Sequence, residues 1–293
     1  MMGGVPAEAL ERTIDALARR GALFAEGNFA LRAACLDFIE LHLLGRPDAP
    51  PPLRARAERL RAELERLDRR LLARLRAAIR AGPLCGAAFR RLIRPYLPRG
   101  PRRRPRRGAG YDDLDLLVNG LLHPRGAPGA PETRHPEQAG YQPTPARVIF
   151  ELAARARPGP DDVFYDLGSG LGNVVLLVHL LSGAPARGVE LEAAYCDHAA
   201  AAARALNLGR AAFIRADARA VDCADGSIFF MYTPCRGRML QELLDNLRRA
   251  ARGRSVRLFT YGPCTPEVVR QGWLAYEGRR APSAERLAAF RSR

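Results

Sequence analysis

Apolar residues recur three and four places apart through the first part of the chain, a spacing that predicts helices. Leu10, Ile14 and Leu17 mark one. Phe29, Leu36, Ile39 and Leu43 mark a second after a break at Gly27-Asn28, so residues 7–44 read as two helices. A Pro-rich break follows from Pro47 to Pro52. The line Leu60, Leu64, Leu67, Leu71, Leu75 and Ile79 then predicts a long amphipathic helix from about Leu53 to Ala81. So short an apolar line suits a small helical bundle better than a coiled coil.

From Tyr141 the pattern changes. Buried-strand runs at Val163 to Leu167, Ala186 to Leu191, Ala212 to Ala216, Ser227 to Tyr232 and Val256 to Tyr261 are separated by other segments. Three of these read as helices: Gly172 to Leu181, Ala193 to Leu206 and Arg236 to Ala251. Thr144-Pro145 predicts a further helix start, with Thr144 as N-cap. Alternating strand and helix predicts an α/β fold, a parallel sheet with helices on both faces. Trp273 to Tyr276 and Arg286 to Ser292 read as two closing strands joined by a turn around Pro282.

Between these regions, residues 98–140 hold seven Pro and seven Gly and read as a linker. Residues 111–122 interrupt it with an apolar segment expected to dock on the domain that follows. The expected organisation is a helical basic domain at 1–97, a linker at 98–140 and an α/β domain at 141–293.

Composition adjusts this picture. Apolar residues make up 47% of the 293, enough for a sizeable core. No apolar run approaches the roughly 20 residues of a membrane span, and the start lacks a secretory pattern. The six Cys form no C-x-x-C pair, so reduced thiols, a cytoplasmic location and no metal site are expected. His123 and His135, both in the linker, suggest no metal pair.

The net charge is +16, and all the basic residues are Arg. Abundant Arg and Ala indicate a coding bias behind part of this charge. Its distribution is more informative: residues 1–110 carry 24 Arg against 11 acids, a net of +13. Residues 90–107 carry nine Arg and no acid, with Pro95, Pro98, Pro101 and Pro105 expected to keep them extended. Such a strip is shaped to follow a phosphate backbone, so a macromolecular partner, protein or RNA, is expected there, and no membrane.

The chemistry concentrates at Asp166-Leu167-Gly168-Ser169-Gly170-Leu171-Gly172-Asn173. A strand enters a glycine-rich turn that opens a helix. There the backbone can approach a ligand closely, and the helix start offers unpaired N–H groups. Asn173 stands where a dinucleotide fingerprint needs its third Gly, which disfavours a nicotinamide-dependent oxidoreductase. Glu190 ends the second strand, 22 residues after Gly168, where a carboxylate can take ribose hydroxyls.

Together these features resemble the class I S-adenosylmethionine-dependent methyltransferases over residues 141–293. Within the class, the run Asp166 to Leu176 and the upstream Tyr141-Gln142-Pro143-Thr144 are most similar to the non-SET histone-lysine methyltransferases and their prokaryotic relatives, the family known as disruptor of telomeric silencing. The resemblance implies a Rossmann-like seven-stranded sheet whose last strand is antiparallel. It implies S-adenosylmethionine as cofactor and S-adenosylhomocysteine as product. The implied cofactor residues are Tyr141, Thr144, Asp166, Gly168, Ser169, Gly170, Gly172, Asn173, Glu190 and Asp217, the last placed to accept from the adenine amine. After the fourth strand, Tyr232-Thr233-Pro234-Cys235 departs from the family's Asn-rich motif, which leaves a lysine acceptor open. Methyl transfer is an in-line displacement that needs alignment above all. Tyr232, Thr233 and Tyr261 are candidates to orient an acceptor by hydroxyl or, at Thr233, by carbonyl. Cys235 is a lesser candidate as a nucleophile, and His179 reads as a core histidine. The alternative is a non-catalytic module of the same fold that binds nucleic acid or a protein partner.

Overall fold

The computed structural model describes residues 7–46, 48–82, 84–97, 111–124, 126, 128–129 and 136–293. The chain divides into two compact units, one of residues 1–77 and 91–121, the other of residues 78–90 and 122–293.

The first unit is helical. It contains α1 (Ala7–Ala18), α2 (Gly21–Phe24), α3 (Phe29–Ile39) and most of α4 (Pro51–Arg80). Leu10, Ile14, Leu23, Ile39, Leu43, Leu53, Leu60 and Leu64 form its core. Five of the six positions in the predicted α4 line are buried, and Leu67 packs partly against the same core. At the centre lies Arg32, only 1% exposed. Its Nε donates to Asp68 Oδ1 at 2.5 Å, and its two terminal nitrogens donate to the carbonyls of Leu23, Ala25 and Glu26. The short helix α2 leaves its last carbonyls without helical partners, and the guanidinium fork satisfies them. Burying Arg32 is therefore tolerable because its hydrogen bonds are made.

The Arg-rich segment starts differently from the expectation. Arg90 and Arg91 lie on α5 (Ala87–Ile93), and Arg94 lies in a 3-10 turn at Arg94–Tyr96. Phe89 and Ile93, one helical turn apart, are both buried, and this apolar pair holds the segment helical. The rest of the strip, from Arg99 to Arg107, lies outside the described residues, as does His135. The apolar island of the linker forms α6 (Asp113–Leu122).

The second unit carries α7 (Ala146–Ala156), α8 (Asn173–Ser182), α9 (Ala193–Ala205), α10 (Gly237–Ala250) and α11 (Thr265–Val269) around one sheet. Its strands are β1 (Phe164–Leu167), β2 (Ala186–Glu190), β3 (Ala211–Arg215), β4 (Ile228–Tyr232), β5 (Arg257–Tyr261), β6 (Leu274–Tyr276) and β7 (Ala288–Ser292). The order is β3-β2-β1-β4-β5-β7-β6. The first five strands are parallel, and β7 runs antiparallel to both β5 and β6. This is the seven-stranded, Rossmann-like methyltransferase sheet that the resemblance implied.

Parallel strands are covered on both faces, which is why β4 reads as an unbroken apolar run and β1 is interrupted only by the buried Asp166. Tyr165, Leu167, Phe229, Met231, Leu258 and Phe290 share one core with Leu240, Leu243, Leu244 and Leu247 of α10. The strand order reverses between β1 and β4, so their C-terminal ends open a crevice. Thr144 is buried and makes no cap. Pro145 precedes α7, without a side-chain cap bond, so the predicted N-cap role of Thr144 is corrected.

Candidate functional site

At the C-terminal ends of β1, β2, β3 and β4 lies a cleft of about 1070 Å³, counting its open mouth. It is lined by Tyr141, Thr144, Asp166, Gly168, Ser169, Gly170, Asn173, Glu190 and Asp217 of the expected cofactor set, and by Tyr232 and Thr233 of the expected acceptor set. Gly172 and Tyr261 are not among its lining residues.

The turn after β1 carries three glycines in the left-handed region, with φ of +85° at Gly168, +53° at Gly170 and +82° at Gly172. All three are also approached closely. A Cβ on Gly168 would lie 2.7 Å from Pro234, and one on Gly170 would lie 2.6 Å from the Tyr141 ring. The Gly168 and Ser169 N–H groups both donate to the Val189 carbonyl, which seats the turn on β2.

Glu190 is the hinge of this arrangement. Its Oε2 accepts the Gly170 N–H at 2.7 Å, and its Oε1 accepts the Glu192 N–H at 2.8 Å. One carboxylate therefore ties the glycine turn to the end of β2, through charge-assisted bonds. Asp166 is buried beside it. Burial, and next the charge of Glu190, push its carboxyl well above the usual range. The Ser169 hydroxyl is buried and has no hydrogen-bond partner among the described residues.

Asp217 is gripped by a residue that the sequence reading missed. The Arg219 Nε lies 3.0 Å from both carboxylate oxygens, and a terminal nitrogen donates to Oδ2 at 2.6 Å. The Arg219 backbone N–H donates to Oδ1 at 2.9 Å, and its guanidinium also reaches Glu242 on α10 at 2.7 Å. The hydrogen bonds from Arg219 hold the Asp217 carboxyl below its usual range.

A second missed group lies behind Asn173. The His123 Nε2 is 2.5 Å from Asn173 Oδ1, and the His198 Nε2 is 3.0 Å from His123 Nδ1. With both rings neutral the chain is self-consistent: His198 donates to His123, and His123 donates to Asn173. Burial lowers His123 to about 4, with the nearby His198 adding to the effect. Among the described residues no group of three or more metal-ligating side chains occurs.

The segment before Tyr141 is strapped across the end of β4. The Ala139 N–H donates to the Pro234 carbonyl at 3.1 Å, and the Arg236 N–H donates to the Glu137 carbonyl at 2.9 Å. Glu137 Oε2 accepts the Met239 N–H at 2.9 Å, in the first turn of α10. Thr233 is buried at a φ of +44°, rare for a β-branched residue. Its Oγ1 accepts the Cys264 N–H at 3.1 Å. The rings of Tyr232 and Tyr261 are 5.0 Å apart and tilted by 58°. Burial pushes the Cys235 thiol to about 12, so it stays neutral and is a poor nucleophile. His179 is buried, with Nδ1 donating to the Ala184 carbonyl.

Residues 140–218, about a quarter of the chain, match the family model described as histone methylation protein DOT1. No curated relative matches the chain. Among solved structures, similar chains include an RNA methyltransferase from Salinibacter ruber in complex with S-adenosyl-L-homocysteine. It is 23% identical, over 52% of this chain and 92% of that one, with a TM-score of 0.41. A putative methyltransferase from Escherichia coli is 17% identical over 50% and 86%, with a TM-score of 0.42. Geranyl diphosphate C-methyltransferase from Streptomyces coelicolor is 22% identical over 39% and 44%, with a TM-score of 0.33, so this chain spans less than half of that enzyme. The family match falls on the glycine turn, Glu190 and Asp217. With the strand order, it identifies the second unit as a class I S-adenosylmethionine-dependent methyltransferase fold.

Proposed function

We propose that the protein is an active S-adenosylmethionine-dependent methyltransferase with a macromolecular acceptor, protein lysine or RNA. The observation that carries this reading is the Glu190 carboxylate, held at the mouth of the glycine turn by the Gly170 and Glu192 N–H groups. The cleft residues suit such a cofactor. The turn brings Gly168 and Gly170 to the cleft wall, and the orphan Ser169 hydroxyl lies in the same wall.

When bound, S-adenosylmethionine supplies a methyl group on a positively charged sulfur and leaves as S-adenosylhomocysteine. On this reading Glu190 takes the ribose hydroxyls, and Asp217 with Arg219 borders the adenine. Tyr141 and Thr144 close over the methionine end, where Gly168 and Gly170 admit it. Burial and the charge of Glu190 raise the Asp166 carboxyl, and a cationic ligand beside it would favour its charged form. Tyr232, Thr233 and Tyr261 orient the acceptor, and the surrounding walls exclude water.

The test is transfer of label from methyl-labelled S-adenosylmethionine into fractionated cell extract, with native mass spectrometry of the purified protein for retained cofactor. Counts in protein or RNA are expected. Cofactor bound without transfer into any fraction would favour the non-catalytic alternative, and no binding at all would overturn the reading.

A further inference from the structure

Asn173 is the first residue of α8, and it is buried in the cleft wall where the turn after β1 becomes a helix. Behind it lie two imidazoles that are not among the lining residues and that the proposed chemistry does not use. His123 follows α6, and His198 lies on α9. The His123 Nε2 meets Asn173 Oδ1 at 2.5 Å, and the His198 Nε2 meets His123 Nδ1 at 3.0 Å. The two ring centroids are 4.9 Å apart.

These contacts fix where each proton sits. An amide oxygen only accepts, so His123 carries its proton on Nε2. Its Nδ1 then holds a lone pair, which takes the Nε2 proton of His198. One imidazole alone could adopt either tautomer, and the second histidine removes that choice. Burial holds His123 down at about 4 and lowers His198 as well, so both rings are neutral near pH 7. The donors therefore run one way, from His198 through His123 to Asn173.

We propose that His123 and His198 are positioning residues. They hold the Asn173 carboxamide with its oxygen turned away from the cleft, so that its amino group faces the carboxylate at the amino-acid end of S-adenosylmethionine. This rests on the methyltransferase reading above and deepens it, by naming two residues that act on the cofactor through a third.

The charge of the cleft explains why a fixed amide is needed. Asp166, Glu190, Glu192 and Asp217 all line it. Among the described residues Arg219 is the one cation in the lining, and it is committed to Asp217 and Glu242. An anionic end entering such a cleft meets repulsion and needs a donor already in place. A carboxamide has nearly the same shape turned over, but turning it exchanges donor for acceptor. A freely turning Asn173 would present its oxygen to a carboxylate as readily as its nitrogen, two acceptors with no proton between them. The His123 N–H removes the wrong orientation. The first turn of α8 adds positive potential beside the same side chain.

Two measurements test this, and the first needs no cofactor. Nitrogen NMR of the histidine rings in the ligand-free, full-length protein at neutral pH is expected to show His123 as the Nε2–H tautomer. His198→Leu is expected to release His123 into a mixture of tautomers. A wild-type His123 protonated on Nδ1 would mean that the donors run the other way and would overturn the inference. The second measurement is calorimetry with S-adenosylmethionine and with its decarboxylated form, which lacks only the carboxylate. His123→Leu is expected to weaken S-adenosylmethionine binding roughly tenfold, the loss of about one hydrogen bond to a charged group, and to change binding of the decarboxylated form little. His123→Gln, whose amide can still donate to Asn173, is expected to recover most of the loss. Equal weakening of both ligands would show that His123 only supports the fold, and no weakening of either would show that it positions nothing. Both outcomes overturn the inference and leave the methyltransferase reading intact. A wild-type protein that binds neither ligand would overturn that reading and this inference together.

Discussion

The β1–β3 side of the cleft and the β4 side solve different problems with different materials. On the first, charged groups are abundant and already engaged. Glu190 holds two backbone N–H groups, Asp217 is saturated by Arg219, and Asn173 is bonded by His123. On the second, the lining residues Tyr232, Thr233, Pro234, Cys235, Met239 and Leu243 carry no charge, and the Glu137 carboxylate nearby is taken by the Met239 N–H. Engaged charges are pre-positioned, so little reorganisation is needed when a polar ligand arrives. A neutral wall can align a group without competing for its proton. On the proposed reading, the first side binds the cofactor and the second faces the acceptor.

The largest effect that would sharpen this contrast comes from Gly170→Val. A Cβ there would lie 2.6 Å from the Tyr141 ring, on a backbone with φ of +53°. Cofactor binding should fall below detection by calorimetry while circular dichroism keeps the helix and strand signal. Normal binding would mean that the turn cradles nothing.

Next comes Glu190→Ala, which removes the acceptor for two backbone N–H groups as well as for a ligand's hydroxyls. Affinity for S-adenosylmethionine should fall tenfold or more, about 1.4 kcal/mol per decade. An unchanged dissociation constant would break the assignment of binding to this side.

The smallest effect is on stability. The Asp166 carboxyl is raised by burial and by Glu190, so folding favours its protonated form. Its contribution is full below the unfolded value of about 3.9 and is lost as pH rises through the folded one. Asp166→Asn, which cannot ionise, should therefore raise the thermal midpoint at pH 8 more than at pH 4. The rise should be a few degrees, at about 2–4 °C per kcal/mol for a unit of this size. An equal shift at both pH values would show that Asp166 is not held protonated.

The sheet was legible because fully buried parallel strands leave a plain trace. Phe229, Phe230 and Met231 could hardly sit elsewhere, and the strand ends fall within two residues of the apolar runs. The glycine turn and Glu190 were legible for a related reason: both are fixed by positions next to strands. What escaped were contacts made across long sequence separations or by side-chain rotation. Nothing in the sequence pairs His123 with His198, 75 residues away, or Glu137 with the start of α10, 102 residues away. The Arg219 fork on Asp217 joins residues two apart, yet the pattern Asp-Ala-Arg looks the same whether the arginine folds back or extends into solvent. The helix α11 was too short for periodicity to show it. Thr144 looked like a cap because the Thr-Pro pair suits one, but tertiary burial claimed the side chain instead.

The strap from Glu137 to Ala139 also ties distant parts of the second unit together. Its two backbone bonds and the Glu137 carboxylate close over the end of β4, and they lead directly into the Tyr141 ring lying on the turn. Local opening of such a segment is governed by how many bonds must part together. The position of the Tyr141 ring over the turn is thus written into a few residues upstream of it, held to β4 and α10 by three hydrogen bonds.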